Sequence, residues 1–305
     1  MNPIKRRTFL KAGLGSTVIG FPSLGKALGA NDRVQVALVG CGGRGTQVTS
    51  SLASRSDVVC TQICDIHEER LVRTADFIAK QQGGHKPLLA THMEEVFANK
   101  DVDAVVVATP DHWHTPAAIL ACQAGKDVYV EKPFSHNIWE GRKLVEAARK
   151  YKRVVQVGTQ NRSAPYNLAA RDYIQSGKLG DIRLVKVFNL KGGGPFHLGA
   201  PGQAPSGFPW KTWLGPAKTR PYHSKIFHGG WHYFWDYSGG DLADCGIHQL
   251  DLTIMALGDP ATPKSVSASG GRLQHKGDDG EVPDVEILHY DYPEFVMTFE
   301  HSHFA

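Results

Sequence analysis

The stretch Val34-Gln35-Val36-Ala37-Leu38-Val39-Gly40-Cys41-Gly42-Gly43-Arg44-Gly45 decides the fold. A largely apolar strand runs straight into G-x-G-x-x-G, and Asp65 follows twenty residues after the last glycine, at the end of a second apolar run from Val58 to Cys64. This is the dinucleotide-binding fingerprint in its strand–turn–helix context. Gly40 allows the tight turn, Gly42 lets the backbone approach a pyrophosphate, and Gly45 lets the helix pack closely on the strand. The helix N-terminus then offers free N–H groups to phosphate. A carboxylate at Asp65 accepts from ribose hydroxyls and repels a 2′-phosphate, so NAD is expected over NADP.

Outward from this turn, apolar strand-like runs at 34–39, 58–64, 104–108, 127–130 and 153–157 alternate with helical patterns near 45–54, 67–82, 92–98, 115–124 and 137–151. That alternation predicts an α/β, doubly wound parallel sheet over residues 31–158. After Gly158 the pattern changes. A helix near 165–176 and a strand near 181–190 precede a long loop, 191–230, rich in Gly, Pro and aromatics. A helix near 241–257 and alternating strands near 264–272, 284–291 and 294–302 follow, predicting an α+β domain over 159–305 with a mostly antiparallel sheet. The chain stops at His301-Ser302-His303-Phe304-Ala305, directly after a strand pattern. That suggests a truncated chain with an uncapped last strand, prone to misassociation and to disorder near 290–305.

The 305 residues allow two substantial cores, and 41% hydrophobic with 21% charged residues is ordinary for a globular protein. The net charge of +4 comes from Lys5, Arg6, Arg7, Lys11 and Lys26; without these five cations it is −1. The remaining body is near neutral, so neither nucleic acid nor an anionic membrane is an expected partner. Segment 1–30 reads as a targeting segment: Lys5-Arg6-Arg7-Thr8-Phe9-Leu10-Lys11 resembles a twin-arginine export signal, followed by a short apolar stretch from Ala12 to Phe21 and a cleavage site after Gly29. This implies the export machinery as a partner and a periplasmic or membrane-tethered protein. The five cysteines, Cys41, Cys60, Cys64, Cys122 and Cys245, are odd in number, lack C-x-x-C spacing and read as small buried residues.

Three further motifs stand out: Ala108-Thr109-Pro110-Asp111-His112-Trp113-His114; Gly125 to Pro133, ending in Glu131-Lys132-Pro133; and Gly239-Gly240-Asp241-Leu242-Ala243-Asp244-Cys245-Gly246-Ile247-His248. Strand ends in an open parallel sheet converge on one crevice, so the glycine turn, Asp65, Thr109–His114 and Glu131–Pro133 are expected together. Asp244 and His248, four apart on a helix, are expected on one face, with the carboxylate orienting the imidazole. His112 and His114 could share a face of a strand end, but no partner has metal-ligand spacing, and no metal site is expected.

Together these motifs closely resemble the family of glucose–fructose oxidoreductase, inositol dehydrogenase and the rhizopine-catabolism dehydrogenases, across about residues 33–300. The resemblance implies an NAD-dependent oxidoreductase of sugar or polyol CH–OH groups, with Lys132, Asp244 and His248 as the catalytic set, and is compatible with a tightly held cofactor. It places Gly40, Gly42, Gly43, Arg44, Gly45, Asp65, Ile66, Thr109, Pro110, His112, His114, Glu131, Lys132 and Gln160 around the cofactor. Arg162, Trp231, His232 and Trp235 are expected at the substrate, the aromatics packing on sugar C–H surfaces. A homo-oligomer, dimer or tetramer, is implied for the full-length form. Two alternatives carry over: an NAD-dependent glycoside hydrolase acting by transient oxidation, and a non-catalytic sugar-ligand sensor.

Overall fold

The computed structural model describes residues 33–303. Segment 1–30, which resembles a twin-arginine signal by sequence, lies outside the described residues. The first half runs β1 (Val34–Val39), α1 (Gly43–Ala53), β2 (Val58–Cys64), α2 (Glu68–Gln81), β3 (Leu88–Ala90), α3 (Met93–Ala98), β4 (Ala104–Val107), α4 (Asp111–Gln123), β5 (Asp127–Val130), α5 (Ile138–Lys150) and β6 (Val155–Val157). Its strands form a six-stranded parallel sheet in the order β3-β2-β1-β4-β5-β6. The two-residue period of a strand sends Ala37 and Val39 into one core, with Val105, Val107 and Ala117. Val36 and Leu38 enter the other, with Ile63, Ile78 and Val106.

Strand order reverses between β1 and β4, and this switch point is where an open sheet binds its ligand. There Gly40 takes φ +99°, and a Cβ on it would meet the Ala108 carbonyl oxygen at 2.5 Å.

The second half contains α6 (Pro165–Gln175), β7 (Leu184–Leu190), two short helices α7 (Trp210–Leu214) and α8 (Ser224–Phe227), a π-helical turn over Leu242–Gly246, α9 (Ile247–Ala256), β8 (Ser265–Gly271), β9 (Val285–Asp291) and β10 (Val296–Ser302). Its mixed, mostly antiparallel sheet has the order β7-β10-β9-β8, with only β7 and β10 parallel. Val187, Leu288, Met297 and Phe299 face inward onto Leu242, Leu250 and Ile254. The last strand is not an exposed edge: β10 pairs on both sides, so it does not offer the free strand edge through which misassociation was expected. No described helix is long and apolar enough to cross a membrane.

Three local readings change. β3, only three residues long, was not expected. α4 begins at Asp111 rather than 115, because Pro116, which resembles a helix-opening proline, lies inside the helix. The helix expected over 241–257 opens with the π turn instead.

Candidate active site

Where the parallel strands end, a cavity of about 520 Å³ opens between the two sheets' domains. Its floor is the glycine turn, Asp65, Thr109 and Pro110, Glu131 and Lys132; Trp213, Trp231, His232 and Asp244 close it from the second domain. Ile66, Gly43, Arg44 and His114 also line it.

The glycines act differently. A Cβ on Gly45 would lie 2.1 Å from the Gly40 carbonyl oxygen, so the helix can approach the turn only with glycine there. A Cβ on Gly42 would meet no protein atom within 4 Å. Asp65 does more than its spacing suggested: Oδ2 accepts from the Cys41 N–H at 2.7 Å and Oδ1 from the His67 N–H at 2.8 Å, tying the turn to the end of β2. Burial pushes its carboxyl up against the pull of these two bonds.

Arg44, in the first turn of α1, donates from Nε to buried Glu131 at 2.8 Å and from Nη2 to Gln160 at 3.2 Å. Gln160 therefore reaches the site only through Arg44; it does not line the cavity. His114 donates from Nδ1 to the Pro133 carbonyl at 2.6 Å, leaving its buried Nε2 without a partner. The Thr109 hydroxyl is likewise buried and unpaired. Two orphaned polar atoms on the wall, beside open space at Gly42 and the N–H groups of a helix N-terminus, fit a polar, phosphate-bearing cofactor.

Lys132 crosses to the second domain. Its Nζ donates to the Asp244 backbone oxygen at 2.9 Å and to Asp244 Oδ1 in a close ion pair. Burial would raise the Asp244 carboxyl, but the nearby Lys132 ammonium outweighs it and holds it below the usual range. His248 was expected to be oriented by Asp244. The structure shows no hydrogen bond between them; the His248 Nδ1 is buried and unpaired. The π turn is the reason: its wider i→i+5 turn removes the i,i+4 stacking of an α-helix. Burial, and then Lys132, lower the His248 pKa, which keeps the ring neutral.

His248 is not among the residues lining the cavity, and three other expected residues also sit elsewhere. His112 is buried on the first turn of α4, with Nε2 against the Trp213 carbonyl at 2.9 Å, and burial drops its pKa to about 4. It supports α7 rather than touching the cavity. Arg162 is held by Asp251 at 2.8 and 2.9 Å and by Asp259 at 2.9 Å, in a separate surface depression. These partners lie about ninety positions away, beyond reach of local reading. The Trp235 ring is half exposed and off the cavity wall, while Trp231 and His232 line it. Burial lowers the His232 pKa.

Asp111 was missed as a site residue. It lines the cavity, is buried, accepts from the Ser238 hydroxyl at 2.8 Å, and burial raises its pKa to about 8. An acidic residue opening a helix inside a motif rich in histidines was the available signal. The five cysteines are unpaired, and burial raises Cys60 and Cys64 to about 12.

Residues 34–159 match the oxidoreductase family with an NAD-binding Rossmann fold, and residues 191–301 match the C-terminal α/β domain of the same family. The two matches together span well over half of the chain. The chain belongs to the Gfo/Idh/MocA oxidoreductase family. Its first half carries that family's NAD-binding Rossmann fold.

Among solved structures it is similar to GenD2 from gentamicin A biosynthesis in complex with NAD, at TM-score 0.69 and 24% identity over 94% of this chain and 70% of that one. It is also similar to the WlbA dehydrogenase from Bordetella pertussis in complex with NADH and UDP-GlcNAcA, at TM-score 0.70 and 21% identity over 90% of this chain and 71% of that one. These likenesses concern the fold. Among curated proteins, a glycosyl hydrolase family 109 protein of Saccharopolyspora erythraea is 32% identical over 177 residues, 50% of this chain and 38% of that protein. An alpha-N-acetylgalactosaminidase of Shewanella oneidensis is 28% identical over 49% of this chain and 38% of that one. The chain spans less than half the length of these curated relatives.

Proposed function

We propose that this chain is an NAD-dependent oxidoreductase of a sugar or polyol secondary alcohol. The observation that carries the reading is the Lys132–Asp244 pair closing the cavity above the glycine turn. An ammonium has three N–H donors, and Asp244 takes two of them, one on Oδ1 and one on its backbone oxygen. The third is left for a substrate oxygen, where it stabilises an alkoxide as that forms. The neutral His248 imidazole nearby is the group that takes the proton. Trp231 and His232 give the opposite wall an apolar body with polar tips, suited to a sugar face. The backbone of Gly42 and Gly43, with Arg44, would hold the pyrophosphate, and Asp65 and Ile66 the adenosine ribose. Bound NAD supplies hydride acceptance at its nicotinamide ring.

The assay is NADH appearance with a panel of sugars and polyols, for wild type and Lys132→Met. The reading predicts turnover in wild type and a loss of about a thousandfold in the variant, within the range for removing acid–base and oxyanion partners. Turnover unchanged by Lys132→Met contradicts it.

A second reading rests on the curated relatives named as glycosyl hydrolases. In it the same Lys132 site oxidises a glycoside transiently before cleavage and re-reduction. Glycoside cleavage without net NADH selects it. Two features further from the cavity belong to this proposal. The outer face of the second sheet exposes Leu184, Phe188, Leu190, Ile287 and Val296, which favours a homo-oligomer joined through that face. The twin-arginine pattern favours export of the folded, cofactor-loaded protein to the periplasm or to a membrane tether.

A further inference from the structure

Behind the Lys132–Asp244 pair, three residues from Asp244 on the same π turn, lies a cluster that the oxidoreductase reading does not use. Asp241 opens the turn, and His301 and His303 come from the end of β10 and the residue after it. Their nearest side-chain ligand atoms all lie within 4.8 Å of one another. The His303 Nε2 is 2.5 Å and the His301 Nε2 3.4 Å from the same oxygen, Asp241 Oδ2. Both imidazoles are buried, with side-chain exposures of 0% and 3%.

The second shell fixes the direction of each group. His301 Nδ1 lies 2.9 Å from the Asn189 backbone oxygen and 3.2 Å from the Asn189 side-chain nitrogen; the shorter contact is to an oxygen that only accepts, which places the ring proton on Nδ1. In the neutral ring Nε2 then holds a lone pair aimed at the cluster, and it makes no hydrogen bond. Lys191 occupies the other carboxylate oxygen, Oδ1, and so turns Oδ2 towards the two rings. Gly193 brings the loop after β7 against His303: a Cβ there would lie 2.9 Å from the ring. His303 Nε2 is hydrogen-bonded to Asp241 Oδ2, whereas the His301 Nε2 lone pair faces the same oxygen without a bond, a repulsion that a cation held among the three atoms relieves. A histidine bound by a carbonyl at one nitrogen and aimed by the other is the usual second-shell arrangement of a metal ligand.

We propose that Asp241 Oδ2, His301 Nε2 and His303 Nε2 bind one divalent first-row transition-metal ion, zinc or iron(II) in class, behind the catalytic pair. Two imidazoles and one carboxylate suit such ions and not the all-oxygen cages of calcium or magnesium. Three protein ligands leave room for water or a substrate oxygen. His301 and His303 alternate at a strand end, which is the H-x-H signal in the sequence; His112 and His114 had the same spacing but lie on a helix, apart from any ligand partner. The proposal does not depend on the oxidoreductase reading.

The test uses the whole chain, stripped with a chelator and titrated with Co²⁺, whose visible absorption reports its coordination, and then with Zn²⁺ as competitor. The expected result is one equivalent bound and displaced by zinc. His301→Gln, His303→Gln and Asp241→Asn should each weaken binding about a hundredfold or more, while His289→Gln, on the outer face of the sheet, leaves it unchanged. Circular dichroism identifies any variant that fails to fold. The wild-type titration and His303→Gln, the ligand furthest along the chain, stand without the others. No saturable binding of Co²⁺ or Zn²⁺ by wild type up to about 100 μM overturns the proposal. So does equal affinity in wild type and folded His303→Gln. The cluster is then a buried carboxylate–imidazole network. Metal analysis of protein as purified separates zinc from iron.

Discussion

Asp111 is a carboxyl buried on the wall of a cavity that also contains Lys132 and Asp244. Its folded pKa of about 8 lies above its unfolded value of about 3.9. The folded state therefore binds a proton that the unfolded state releases. The stability tied to Asp111 is full below pH ~3.9 and is lost as pH rises through about 8. Asp111→Asn keeps the shape and removes the titration, so its thermal midpoint should fall less than that of wild type between pH 5 and pH 8. Parallel pH–stability curves for the two proteins would contradict this. His248 has the opposite sign. Its lowered pKa keeps it neutral near pH 7, so the acid limb of kcat/KM should lie below pH 6.5 and disappear in His248→Asn. A pH–rate measurement on both proteins checks it.

At the scale of the element, the strand–turn–helix of β1 and α1 separates two roles that one motif joins. A Cβ on Gly45 collides with the Gly40 carbonyl oxygen, whereas a Cβ on Gly42 meets empty space. Gly45→Ala should destabilise by about 1–3 kcal/mol, the usual cost of overpacking a tight contact. Gly42→Ala should leave the thermal midpoint within about 0.5 kcal/mol of wild type and weaken NAD binding about tenfold or more. Calorimetry and a fluorescence titration on the pair distinguish the roles; equal loss of stability in both would show that Gly42 is structural.

The same motif shows why so much was legible. The strand, glycines and Asp65 lie within 32 consecutive residues, and local sterics dictate each of them. What escaped depended on distance or on a broken period. β3 is too short to show alternation. Pro116 disguised the start of α4. A π turn has no residue pattern distinct from an α turn, and it leaves Asp244 without a hydrogen bond to His248. Arg162 and the Asp241 cluster were decided by partners from 50 to nearly a hundred residues away.

At the scale of the molecule, both domains are needed to make the cavity: the ends of the parallel strands bring the glycine turn, Asp65 and Lys132, and the helices and turns of the second domain bring Asp244, Trp231 and His232. The second sheet's inner face is filled by α9, while its outer face carries apolar side chains such as Phe188 and Ile287, 47% and 41% exposed. Those residues predict self-association through that face. Light scattering should give a dimer or larger species, and the double variant Phe188→Glu, Ile287→Lys should shift it to monomer with NAD binding retained. A monomeric wild type at tens of micromolar would contradict this.

The cavity at the β1–β4 switch point is where NAD is expected to bind. The most direct measurement is to denature the purified protein, identify any released small molecule by mass spectrometry, and titrate the remaining empty protein with NAD and NADP. The account predicts recovered NAD(H), or saturable NAD binding at one per chain and tighter than NADP. Absence of released nucleotide together with no NAD binding at millimolar concentration would contradict it.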